Sequence, residues 1–264
     1  MDPQTVVLAC GMAAEAAIIL QMIKGSVLRT FPAFFIFLCW SLFSDLSLYC
    51  VHVLYPPEVY FRIYKIQLIL DSLMIFALLV EVAWSVLRPI RNSLPKYSWI
   101  GIAVLIAIGG LILWPIAGLA APPDLSAVGM NLFRLQQTPA ILRAVFFLAL
   151  AAFSQLLSIG WRDRELQIAT GLGFYSIVSL GVTILHTHQI SGTQSYQLMD
   201  QVASFSYLAA LGYWVYSFAT QPAERQEFTP QMQSMLLAVA GAARSTRVAL
   251  TDSASEKSGK RRDR

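Results

Sequence analysis

Charge is scarce in this chain: Lys, Arg, Asp and Glu supply 13% of its 264 residues, about half their share in soluble domains. Apolar residues make up 56% and the mean hydropathy is +0.60. A soluble fold this apolar could not cover its own surface, so lipid must provide part of the solvent.

Cysteine is equally sparse. Cys10, Cys39 and Cys50 all lie in apolar segments, with neither a Cys-x-x-Cys pair nor a zinc spacing, so they read as small buried hydrophobes. Val7-Leu8-Ala9-Cys10 approaches a lipoprotein cleavage pattern. Only nine residues precede the cysteine, however, and Asp2 stands where an export signal is basic, so Met1 to Ile23 reads as a retained span. No internal repeat, Gly-rich phosphate loop or Ser-His-Asp pattern is visible. The lysines are Lys24, Lys65, Lys96, Lys257 and Lys260. None falls in the last apolar segment, where a retinal Schiff base would need one.

What the chain has is long apolar runs. A bilayer core of about 30 Å takes roughly 20 residues of helix, and seven segments qualify: 5–23, 32–54, 64–87, 98–120, 140–160, 166–186 and 198–219. They are too long and too uniformly apolar for barrel strands. The expected fold is all-α, a polytopic bundle of seven transmembrane helices over residues 1–222. Pro32 opens the second helix, Pro89 and Pro95 bracket a turn, and Pro139 precedes the fifth. Residues 121–139 read as an irregular outer loop or a short surface helix.

Basic residues give a direction. With the N-terminus outside, 15 of the 19 lysines and arginines fall on the cytoplasmic side, against Arg62, Lys65, Arg134 and Arg143 outside. Residues 223–264 would follow the last span. Thr229-Pro230 opens a pattern of Met232, Met235, Leu236, Val239 and Ala243 that suits an amphipathic helix on the inner leaflet. Beyond it, Lys257, Lys260, Arg261, Arg262 and Arg264 form a basic tail suited to anionic lipid headgroups. Nothing around it resembles a nucleic-acid motif, despite a net charge of +4.

Ionisable residues within spans are functional candidates, because each is costly to insert. Glu15, Asp45, Asp71, Glu81 and Asp200 stand out. Ser41, Asp45, Leu48 and His52 share one face of the second helix, and Gln67, Asp71, Met74, Leu78 and Glu81 one face of the third. Counting rises puts Asp45 about 13 Å and Asp71 about 10 Å below the outer surface. Asp45, His52, Asp71 and Asp200 are therefore candidates for an outward-opening ligand or proton site, with Glu81 nearer the inner face and within reach of Gln155 or inner-loop basic residues. The plainer alternative is hydrogen bonding between helices, at about 0.6 kcal/mol each. A metal-dependent intramembrane hydrolase fits less well, since His186 and His188 point about 200° apart on a helix. No metal or other cofactor is expected. A small carrier, possibly proton-coupled through Asp45 and Asp71, is another reading. Gly109-Gly110 and Gly171, Gly173 and Gly181 are its candidate helix breaks.

Two stretches carry a resemblance. Phe31-Pro32-Ala33-Phe34-Phe35 enters the second helix, and Glu81-Val82-Ala83-Trp84-Ser85-Val86-Leu87-Arg88-Pro89 leaves the third. Both are similar to motifs of uncharacterised multi-pass membrane proteins common in acidobacteria. The layout also looks like the seven-helix input modules of bacterial sensor kinases. The resemblance implies a bacterial inner-membrane protein without assigned activity. With no coiled-coil linker or kinase in view, it implies a non-enzymatic sensory or scaffolding module acting through a cytoplasmic or membrane partner.

Overall fold

The computed structural model describes residues 3–25, 27–87, 97–122, 125–154, 163–186 and 194–220. Among these the chain is all-helical. Its α-helices are α1 (Pro3–Lys24), α2 (Pro32–Leu54), α3 (Pro57–Val86), α4 (Ser98–Ala117), α5 (Ala127–Phe153), α6 (Arg164–His186) and α7 (Gln194–Ala219), with one 3-10 turn at Val27–Arg29. Each packs on the next and α7 returns to α1, closing a ring, while α3 also reaches across to α5 and α6.

Six helices, α1 to α6, are long and apolar enough to cross a membrane. α7 has the length, but its tyrosines, serines and Trp214 dilute its apolar content. The burial pattern is that of a protein whose outer surface meets lipid: Leu105, Leu111 and Leu119 are all more than two-thirds exposed. α4 is the most peripheral, with 6% of its apolar window buried.

The starts of two helices depart from the sequence reading. α3 begins at Pro57, because Pro56-Pro57 fixes the backbone for a first helical turn. α5 begins at Ala127, so residues 127–139 are helix rather than loop. Their polar composition hides them from a hydropathy window, but Ser126 caps them: its Oγ accepts from the Gly129 amide at 3.2 Å. Pro139 consequently lies inside α5 and does not precede it. The proline removes the donor that the Leu135 carbonyl would use. Ser72 Oγ, on α3, approaches that carbonyl at 3.3 Å while also donating to Leu68 at 2.8 Å.

The bundle has one dry half. Ile18, Met22, Phe34, Leu38, Leu78 and Val82 are all but fully buried, together with Leu166, Ile168 and Leu211. Phe34 meets Trp214 edge-on, with ring centres 5.2 Å apart, and stacks on Phe218 at 5.7 Å. Glycine makes this closeness possible. A Cβ on Gly171 would fall 2.3 Å from Trp214 Nε1, and one on Gly173 2.3 Å from Phe147. Trp214 instead lies flush on α6 and donates to the Gln167 carbonyl at 3.1 Å.

Candidate functional site

Above the dry half the helices separate around a cavity of about 370 Å³. Its polar wall comes from five helices: Glu15 on α1, Ser41, Ser44 and Asp45 on α2, Tyr64, Gln67 and Asp71 on α3, Gln136 and Arg143 on α5, and Tyr207 on α7. Tyr175 of α6, Phe37 and Trp214 add aromatic surface.

Glu15 anchors one side. Its carboxylate is 1% exposed, and Oε1 accepts from Ser41 Oγ at 2.7 Å and from the Tyr207 hydroxyl. Its Oε2 is buried without a partner among the described residues, as are Ser44 Oγ and Arg143 Nε. A buried polar atom left unpaired costs about 1–3 kcal/mol, so these three atoms mark where the wall is unsatisfied by its own fold.

Asp71 anchors the other side, where its Oδ1 accepts from the Trp40 indole nitrogen at 2.6 Å. The Arg143 guanidinium lies over the Tyr175 ring, 5.8 Å from its centre, and is close enough for its charge to act on Asp71. Asp45 feels the charges of both Glu15 and Asp71. Three carboxylates and one guanidinium thus share one low-dielectric space, with tyrosine rings between them.

The sequence candidates divide. Asp45 and Asp71 do line one cavity. Because α3 starts at Pro57, Asp71 sits about 21 Å along it, opposite Trp40 rather than Asp45. His52 is exposed at the end of α2, edge-on to Tyr60 with ring centres 5.6 Å apart, and does not line the cavity. Asp200 is also outside it. That side chain is 61% exposed and its Oδ1 lies 3.8 Å from His186 Nε2, a pairing worth little at a surface.

Glu81 does something else. Its two carboxylate oxygens accept from the backbone amides of Ala33 at 2.7 Å and Phe34 at 2.9 Å. These are orphan donors of the first turn of α2, which Phe31 cannot cap. The carboxylate is a helix cap supplied by a neighbouring helix, favoured by the α2 dipole. Gln155, one partner expected from sequence, lies outside the described residues, as do His188 and all of 223–264.

Arg143 is the residue that hydropathy hid. It lies four turns into α5, a consequence of the early helix start at Ala127. Glu15 was visible as an intramembrane acid, but its partners Ser41 and Tyr207 stand 26 and 192 residues away. Among the described residues no three of His, Cys, Asp and Glu gather as a metal site.

Comparisons with family models, with curated proteins and with solved structures find no match for this chain.

Proposed function

We propose that the protein is a seven-helix membrane receptor, N-terminus outside, whose cavity binds a small polar ligand and whose inner face passes the occupancy to a partner. The observation that carries this reading is the convergence of Glu15, Asp45, Asp71 and Arg143 from four helices on one cavity of about 370 Å³. Ionisable groups in a bilayer normally gather only where they are used or paired. Here Glu15 and Arg143 each keep a buried atom without a hydrogen-bond partner among the described residues.

Counting α7 as the seventh span rests on its 26 residues and on its packing between α6 and α1. The direction rests on the lysine and arginine distribution, and the inner membrane of a bacterium is its proposed location. No step of this reading requires catalysis. Residues 223–264 and the inner loops would form the output surface, and anionic headgroups would hold the basic tail.

The test is a thermal-shift screen of the full chain in nanodiscs against small amines, amino acids and organic acids. A compound that stabilises the native chain but neither Asp71→Asn nor Arg143→Gln supports the reading. Stabilisation that survives both substitutions sinks it. Partner capture that persists unchanged without residues 223–264 would remove the output half.

One observation favours a second reading. The helical hydrogen bond missing at Pro139 borders the cavity, and carriers often weaken helices at their binding sites. A small carrier predicts proteoliposome uptake that Asp45→Asn and Asp71→Asn abolish.

A further inference from the structure

The polar cavity has an apolar neighbour. Ser72, Ile75 and Pro139 also line a second space of about 330 Å³ between α3, α4 and α5. Apart from Ser72 and Thr138, side chains such as Phe76, Ile106, Trp114 and Leu142 make it apolar. Leu73, on its rim, is 56% exposed, so the groove opens onto the outer surface of the bundle beside α4, the helix least buried by its neighbours.

Building on the binding reading above, we infer that the ligand is an amphiphile: a primary ammonium head in the Glu15–Asp45–Asp71 cavity and an aliphatic chain in the α3–α4–α5 groove. The head chemistry follows from the wall. Carboxylates outnumber the guanidinium three to one on this wall, which favours a cation over an anion. Glu15 Oε2 needs an N–H or O–H donor. A primary ammonium brings three, whereas a quaternary one brings none. Tyr64 and Tyr207 add aromatic rings to the same wall. The chain follows from the border at Ser72, Ile75 and Pro139 that the two spaces share. A molecule already dissolved in the bilayer keeps its chain in hydrocarbon-like surroundings while its head moves into the polar site, so no apolar surface is returned to water.

The test is photolabelling of the full chain in nanodiscs with dodecylamine carrying a diazirine in mid-chain, read by peptide mass spectrometry. Adducts are expected on α3, α4 and α5 residues of the groove. Unlabelled dodecylamine should compete, while butylamine and dodecyl-trimethylammonium should each compete about tenfold less well or worse. Lysophosphatidylethanolamine is included as a competitor: competition by it as well assigns the head to a lipid, and competition by dodecylamine alone assigns it to a free amine.

Two variants separate head from chain. Glu15→Gln should weaken labelling about tenfold through loss of a charge-assisted contact. Gly110→Leu should also weaken labelling, because a Cβ at Gly110 meets nothing within 4 Å and the added side chain fills the groove without strain. Butylamine competing as well as dodecylamine overturns the groove and leaves the cavity reading intact. Equal competition by the trimethylated analogue overturns the head assignment. Adducts confined to other lipid-facing surfaces, indifferent to Glu15→Gln, overturn the whole inference. These competition results on the native chain stand even if a variant folds poorly.

Discussion

Ser72 Oγ stands 3.3 Å from the Leu135 carbonyl oxygen, the acceptor that Pro139 deprives of its helical donor. Within a bilayer a backbone carbonyl has no water to turn to, so a side chain on the neighbouring helix takes part of that role. Ser72→Ala should therefore cost about 1 kcal/mol. Pro139→Ala restores the amide donor within α5, and in that background Ser72→Ala should cost little. A double-mutant cycle by reversible denaturant unfolding measures the coupling. Additive losses would show that the serine does not serve this carbonyl.

Glu81→Ala should destabilise the bundle by about 2 kcal/mol, since it strands the Ala33 and Phe34 amides. Glu81→Gln keeps one acceptor and should lose less. Hydrogen exchange locates the effect: the first turn of α2 should exchange faster in Glu81→Ala while the rest of α2 stays protected.

Gly171→Ala places a methyl group 2.3 Å from the Trp214 indole nitrogen. The rigid ring cannot move without losing its bond to Gln167, so about 1–3 kcal/mol of stability should go. Gly212→Ala is the control. A Cβ there meets nothing within 4 Å, and replacing a mid-helix glycine should be neutral or stabilise by about 0.5–1 kcal/mol.

Arg164 Nη1 donates to the Ser217 carbonyl at 2.6 Å and to Gln167 Oε1 at 3.0 Å, and Nη2 donates to the Thr220 carbonyl at 2.8 Å. The same guanidinium lies 4.7 Å from the centre of the Phe218 ring. It gathers two carbonyls at the end of α7 as a planar fork, which an ammonium cannot copy. Arg164→Lys should lower the unfolding midpoint and speed exchange at the last turn of α7, with α1 and α2 unchanged.

Tyr207→Phe removes one of the two donors to Glu15 Oε1, and Ser41→Ala removes the other. Each should cost about 1–3 kcal/mol, and together more than their sum, because the double variant leaves a buried carboxylate without support. Thermal unfolding of the three variants checks it. Simple additivity would mean that Glu15 finds other partners.

Much of the fold could be read from hydropathy and proline, because a helix facing lipid must announce itself in apolar length. The opening of α2 at Pro32 is one such case. The polar first half of α5 could not be read so, since its start depends on a single Ser126 cap, and the place of Arg143 deep in that helix was lost with it. For the site, helical spacing correctly put Asp45 and Asp71 on faces that line one cavity. Spacing within a helix says nothing about partners across the bundle, however. It grouped His52 and Glu81 with them, although one ends in the open and the other caps a helix. The contact between Glu81 and Ala33–Phe34 joins the two stretches that stood out most in the sequence, and nothing in either alone reveals that they touch.

α3 grips α2 at two heights. Asp71 holds Trp40, and Glu81, ten residues or about 15 Å farther along, holds the first turn. Two such fastenings forbid both sliding and twisting between the pair, which leaves α2 and α3 as a single strut. If the proposed cavity changes shape on binding, α2 and α3 should move together, so spin-label distances between them should stay constant while those from α3 to α7 change.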